Sequence, residues 1–298
     1  MGVERVPRRS VRVGADRAGV GLGRSGAVET VCGRSGARLA ARAPAGRYGP
    51  TARFAAPAAT DLFPRTTSAP GSDVSMRYAV LGTGTVGRTI AGRLLDLGHE
   101  VVIGTRVPEA TRQRTEFADG RLPVATFAQA ASEGETLINA TNGLASVAVL
   151  REAGAADLDG RILIDVANPL DFAEGFPPRL DVVNDDSLGE MLQRAFPGLR
   201  VVKTLNTMNC RIMVDPARVP GDHQVFLSGE DPDAKRAVRE LLHSFGWPDA
   251  RILDLGGIET ARGTEMLLPL WLRLMGTLGH ADFNFRVEAA EAGTGRPA

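Results

Sequence analysis

The 298-residue chain carries 35 basic and 35 acidic side chains, yet residues 1–75 hold twelve arginines against five acids, while the remainder is mildly acidic. An acidic body gives no support for nucleic acid or an anionic membrane surface as partner. Cys32 and Cys210 are the only cysteines, which excludes a disulfide framework or cysteine-rich metal site and suits a reducing cytosol; the apolar run at 266–275, broken by Pro269 and Arg273, is too short for a membrane span.

Residues 1–75 are rich in Arg, Ala, Gly and Pro, and Gly-Arg-Ser-Gly-Ala occurs twice, at 23–27 and 33–37. Such low-complexity sequence buries too little apolar area to offset its ordering entropy, so a disordered tail is expected. Gly21-Leu22-Gly23-Arg24-Ser25-Gly26 matches G-x-G-x-x-G, but no buried strand precedes it and no apolar-periodic helix follows. Out of that context the match carries nothing. Two readings of the tail stand: an arginine-rich organelle leader, or translated upstream sequence with the true start at Met76. The second is favoured, because Met76-Arg77 opens the first core strand directly.

From Met76 the pattern alternates between strand and helix. A strand is predicted at 78–81, feeding straight into Gly82-Thr83-Gly84-Thr85-Val86-Gly87, and a helix at 86–97 in which Ile90, Leu94 and Leu97 face the sheet. Strands follow at 100–103, 136–140, 161–166 and 201–205, with helices at 109–118, 127–132, 144–152 and 187–196. After a shift in character come a strand at 223–228 and a helix capped by Asp231-Pro232 and ending at Phe245. A long apolar helix at 259–278, which Pro269 should kink, precedes a short strand at 283–287. The pattern predicts an α/β fold: a Rossmann-type, doubly wound parallel sheet at 76–205 and a smaller C-terminal α+β domain at 206–290 for substrate binding or dimerisation.

The glycine turn in this strand–turn–helix setting predicts a dinucleotide site. Gly82 permits the tight turn, Gly84 lets the backbone approach a pyrophosphate, and Gly87 lets the helix pack on the strand. Thr83, Thr85 and Val86 complete the turn, and the helix N-terminus offers free N–H groups to the anion. Strand two ends in Gly104-Thr105-Arg106, with no acid to bind a ribose 2′-hydroxyl. A hydroxyl and a guanidinium suit the 2′-phosphate of NADP, so Thr105 and Arg106 predict NADP(H). Ala140-Thr141-Asn142 and Asn168-Pro169 close the next two strands, where ligands of open α/β sheets bind. They are expected beside the ribose and nicotinamide, although ordinary turn chemistry would explain the same residues.

The glycine turn, Leu97-Gly98-His99-Glu100 and Gly104-Thr105-Arg106 together resemble the NADPH-dependent oxidoreductases related to the reductases of the deazaflavin coenzyme F420. The resemblance continues through Lys203-Thr204-Leu205-Asn206-Thr207 and Thr264-Glu265-Met266-Leu267-Leu268-Pro269-Leu270, covering most of 76–290 and none of the tail. It implies a turn that holds the pyrophosphate, a Thr/Arg pair on the 2′-phosphate, and a substrate cleft beside the C-terminal domain. Two departures stand out: Val107-Pro108-Glu109-Ala110 supplies no further basic residue, and the segment 170–180 is distinctive.

Hydride transfer to a flavin-like ring needs stacking and exclusion of water more than an acid–base side chain. No Ser-His-Asp or metal-ligand spacing is present, and His99, His223, His243 and His280 read as structural or surface residues, the second and fourth in exposed loops. Asn206 and Thr207, with Pro169, are the substrate-side candidates. Met266, Leu270, Trp271, Leu274 and Met275 read as core or homodimer interface before a ring-binding box. The reading is an NADPH-dependent oxidoreductase with F420 or a flavin as small-molecule acceptor. Reduction of a small carbonyl or imine compound and a non-catalytic NADPH sensor stand as alternatives.

Overall fold

The computed structural model describes residues 75–155 and 158–290. The expectations for residues 1–74, including the second glycine match and the start at Met76, lie outside the described residues.

Among the described residues, ten strands and eight α-helices follow Met76. β1 (Arg77–Leu81), β2 (Glu100–Thr105), β3 (Val124–Thr126), β4 (Thr136–Asn139), β5 (Ile162–Asp165) and β8 (Arg200–Thr204) run parallel, joined by β9 (Val225–Ser228) and β10 (Ile252–Asp254) in the order β10-β9-β8-β5-β4-β1-β2-β3. β1 pairs with both β2 and β4, so the strand order reverses there and opens a crevice at the carboxyl ends. β9 pairs antiparallel with β8, and β10 parallel with β9. The segment 206–290 therefore adds two strands to the same sheet.

Alternation along each strand produces the two buried faces. Tyr78 and Val80 point into one core layer, with Ile90 and Leu94 of α1 (Thr85–Asp96), Ile212 of α6 (Cys210–Met213) and Val238 and Leu242 of α7 (Pro232–Ser244). Ala79 and Leu81 point into the other, with Ala130 of α3 (Phe127–Glu133), Leu150 of α4 (Ser146–Glu152) and Leu192 of α5 (Leu188–Ala195). α3 begins in a capping box, Thr126 and Gln129 satisfying each other's backbone N–H groups. α8 (Ala261–Leu278) contributes Leu268, Trp271 and Leu272 to a third, small cluster completed by Ala281 just beyond it, and its helical path continues through Pro269.

Several elements differ from the sequence expectation. The predicted helix at 109–118 is split into α2 (Pro108–Arg112) and a 3-10 turn at Thr115–Phe117. β3, β10 and the hairpin β6 (Leu170–Asp171)–β7 (Arg179–Leu180) are too short to show a period. Residues 283–287 form no strand. They are fastened by Gln224, whose N–H donates to the Phe285 carbonyl at 2.9 Å and whose Oε1 accepts from the Val287 N–H at 2.7 Å. His223 is buried rather than exposed: Nε2 lies 3.0 Å from the carbonyls of Pro216 and Val219, and Nδ1 lies 2.9 Å from Asn284 Nδ2.

Candidate nucleotide and acceptor site

The three glycines of the turn differ in what surrounds them. Gly82 has φ +125°, and a Cβ there would lie 2.4 Å from the Ala140 carbonyl oxygen. A Cβ on Gly87 would lie 2.3 Å from the Gly82 carbonyl oxygen, so α1 can approach β1 only without a side chain. Gly84, the residue before α1, has open space where its Cβ would stand and an ordinary φ of −71°. Packing therefore accounts for Gly82 and Gly87. At Gly84 the free volume fits backbone approach by a pyrophosphate.

The end of β2 is tied to this turn by the Gly82 N–H donating to the Gly104 carbonyl at 3.1 Å. Arg106 is exposed there and only loosely paired with Glu152 at 3.9 Å. Thr105 is not equally available, because its buried hydroxyl lies 3.0 Å from that of Thr111 in α2. A second basic group reaches the turn from outside the motif. Arg114 Nη1 donates to Thr83 Oγ1 at 2.8 Å, and Arg88 Nη1 to the Thr83 carbonyl at 2.8 Å. Glu116 faces both, 3.2 Å from Arg114 and 3.8 Å from Arg88. Its carboxyl is held below the usual range by its own backbone N–H first and by Arg114 next.

The ends of β4, β5 and β8 carry one continuous polar network. Asn139 is fully buried and donates to Asp165 Oδ1 at 2.8 Å and to Ser146 Oγ at 2.9 Å; its Oδ1 accepts from Thr141 Oγ1 at 2.7 Å. Lys203 Nζ contacts Asp165 Oδ2 at 2.8 Å, Glu265 Oε1 at 2.7 Å and the Ala167 carbonyl at 2.5 Å. All three charged side chains are excluded from solvent. Burial opposes the lysine's charge, and Asp165 and Glu265 more than offset it, so its pKa is raised. Glu265 also accepts from the N–H groups of Leu188 and Gly189, which joins α8 to the first turn of α5.

Above this network, Asn206 Nδ2 donates to Asn168 Oδ1 at 3.0 Å, and Asn168 Nδ2 donates to the Asn206 carbonyl at 2.8 Å. Pro169 is buried beside them. Leu205 turns the chain at φ +62°, a strained conformation for a leucine. Thr207 is buried, and its hydroxyl has no hydrogen-bond partner in the protein. Asn142 is exposed and uses its Oδ1 to cap the Leu144 N–H at 3.1 Å, as turn chemistry would have it. Ala140 joins the turn through its backbone, its N–H donating to the Leu81 carbonyl at 2.9 Å.

The sequence reading missed Asn139, Asp165, Glu265, Arg88 and Arg114. A signal for the buried set was present: Asp165 ends an apolar strand, and Lys203 is one of only two lysines in the chain and lies in another strand. Charged residues inside such strands are almost never buried without partners.

Residues 77–169 match the family model described as NADP oxidoreductase, coenzyme F420-dependent. The F420-dependent NADP reductase of Methanothermobacter marburgensis is 32% identical over 210 residues, which cover 67% of this chain and 92% of that protein. A crystal structure from Arthrobacter sp. FB24, of a candidate F420-dependent NADP reductase, is 56% identical with a TM-score of 0.69, covering 72% of this chain and all of that one. The rat metalloreductase STEAP3 is 32% identical over 205 residues, and the match spans 38% of its length.

Proposed function

The chain belongs to the family of coenzyme F420-dependent NADP oxidoreductases, and from that premise we propose that it transfers a hydride between NADPH and a deazaflavin or flavin-like acceptor. Residues 76–205 hold the nucleotide in this reading, and 206–290 supply the acceptor side. The free volume at Gly84 and the exposed guanidinium of Arg106 fit the pyrophosphate and 2′-phosphate of NADP. When bound, NADPH supplies the hydride.

The observation that favours a ring acceptor is the state of the titratable groups at the strand ends. Within residues 139–142, 165–169 and 203–209 these are Asp165 and Lys203, both fully buried and bonded to each other. Reduction of a carbonyl or imine calls for a proton donor at the reacting atoms, whereas a ring acceptor calls for positioning and exclusion of water. The Asn168–Asn206 pair and Thr207 then serve as orienting groups. The proposal includes a cytosolic homodimer, with the exposed Met266 and Leu270 of α8 as contact residues.

Steady-state oxidation of NADPH by the purified protein with coenzyme F420, FMN, FAD and simple carbonyl compounds tests the reading. Turnover confined to F420 or a flavin is expected. Turnover only with carbonyl compounds would replace the acceptor class, and binding of NADPH without turnover by any of them would make the protein a sensor.

A further inference from the structure

The motif reading leaves the 2′-phosphate with one cation, because 107–110 contains no basic residue. The fold supplies another. Arg114, the residue just before the 3-10 turn at Thr115–Phe117, reaches back to the glycine turn, donating to Thr83 Oγ1 at 2.8 Å and to the Thr83 carbonyl at 3.4 Å. The Gly82–Gly104 hydrogen bond sets Thr83 against the end of β2, the strand that presents Arg106. Arg114 and Arg88 also lie over the same ring, 5.5 and 6.0 Å from the centroid of the buried Phe117. The ring contact holds both guanidinium groups beside the turn, where Arg114 spends its N–H groups on Thr83 and Glu116, partners that an oxyanion could replace.

Charge at this corner is unbalanced. Two guanidiniums converge on a single neutral carbonyl oxygen, and one exposed carboxylate, Glu116, faces both of them. Like charges held this close are relieved by a bound anion. A phosphate supplies more oxygens and more charge than one carboxylate can.

We propose that Arg114 is the second cation of the 2′-phosphate site, aligned by Thr83 and Phe117 and held by Glu116 until the nucleotide arrives. The proposal rests on the NADPH reading above and adds a specificity-determining residue to it. Arg106 reaches the phosphate from the end of β2 and Arg114 from the glycine-turn side, with Arg88 serving the turn itself.

Titration of NADPH, NADH and 2′,5′-ADP against the full-length protein and its variants tests this. Arg114→Ala should weaken NADPH and 2′,5′-ADP about 10- to 100-fold, as for loss of a charge-assisted hydrogen bond, and NADH less than about 3-fold. Retained NADH affinity shows at the same time that the fold survives. Glu116→Gln, which frees Arg114, should tighten NADPH roughly 2- to 5-fold without moving NADH.

Equal weakening of NADPH and NADH by Arg114→Ala would overturn the assignment, moving the residue to the pyrophosphate or to the fold. So would unchanged NADPH binding. If Arg106→Ala abolishes the preference for NADPH and Arg114→Ala preserves it, Arg114 alone is misassigned. A wild-type protein that binds the two nucleotides equally would remove the parent reading. Should Arg114→Ala fail to fold, Glu116→Gln decides, and no gain in NADPH affinity counts against the proposal.

Discussion

Asn168, just beyond β5, and Asn206, just beyond β8, hold each other across the gap between two strand ends, one through side chains alone and the other through side chain to carbonyl. The strained Leu205 and the Lys203–Ala167 contact lie directly beside the pair, so its geometry is fixed from both strands. Such strain persists only where the surroundings over-determine the backbone. Asn168→Leu removes both hydrogen bonds. Turnover is expected to fall about 10- to 100-fold, the equivalent of one or two hydrogen bonds, with NADPH affinity within about 3-fold. Steady-state kinetics with a parallel NADPH titration check this, and unchanged turnover would take the pair out of the reaction.

Within the glycine turn, Gly82 and Gly87 are closed in by neighbouring backbone and Gly84 is open. Gly84→Ala places its Cβ in open space at a permitted φ, so the melting temperature should stay within a few degrees while NADPH and NADH both weaken at least about 10-fold. Gly87→Ala drives a Cβ into the Gly82 carbonyl and should destabilise the protein by several kcal/mol, roughly the scale of backbone strain and overpacking together. Thermal unfolding of both variants, with nucleotide titration of the first, distinguishes the two roles.

Lys203 is a single cation shared by two carboxylates that have no access to water. Lys203→Met leaves Asp165 and Glu265 facing each other, and unfolding free energy should fall by about 3–5 kcal/mol, as for breaking a buried ion pair. Adding Glu265→Gln to that variant should restore part of the loss, since one unpaired charge is removed. Urea denaturation of the single and double variants measures the difference. A fully additive result would show that the two sites do not communicate.

Tyr78 gives a prediction at alkaline pH. Burial first, and the nearby Glu135 carboxylate second, push its hydroxyl up to about 12 from an ordinary value of 10.0. Between those values the folded state holds a proton that the unfolded chain has lost, so stability must fall as pH rises through the window. The loss from this group is on the order of 2–3 kcal/mol by pH 12, and none of it is present below pH 10. Denaturation of wild type and Tyr78→Phe from pH 9 to 12 should show a steeper decline for wild type. Parallel curves would mean that Tyr78 ionises as freely in the fold as out of it.

Local chemistry was legible where it obeys a short-range rule. The apolar run at 78–81, the glycine spacing and the helical period after it identify β1, the turn and α1 to within a residue or two. The same applies to the Asp231-Pro232 start of α7, because a cap and a first-turn proline act within one turn of helix. Strands of two or three residues such as β3, β6, β7 and β10 contain too few positions to display a period, and pairing with a longer neighbour is what makes them strands.

By itself, then, the sequence determined the alternation of strands and helices, the glycine turn and the polar strand ends, since each of these elements is encoded within a short run of contiguous residues. Only the tertiary structure decided which polar groups meet. Thr105 is committed to Thr111, Arg114 comes back 31 residues to Thr83, and Glu265 crosses 62 residues to Lys203. Those contacts arise from the order in which strands and helices stack, and a charge removed from water must find its partner wherever that stacking brings one.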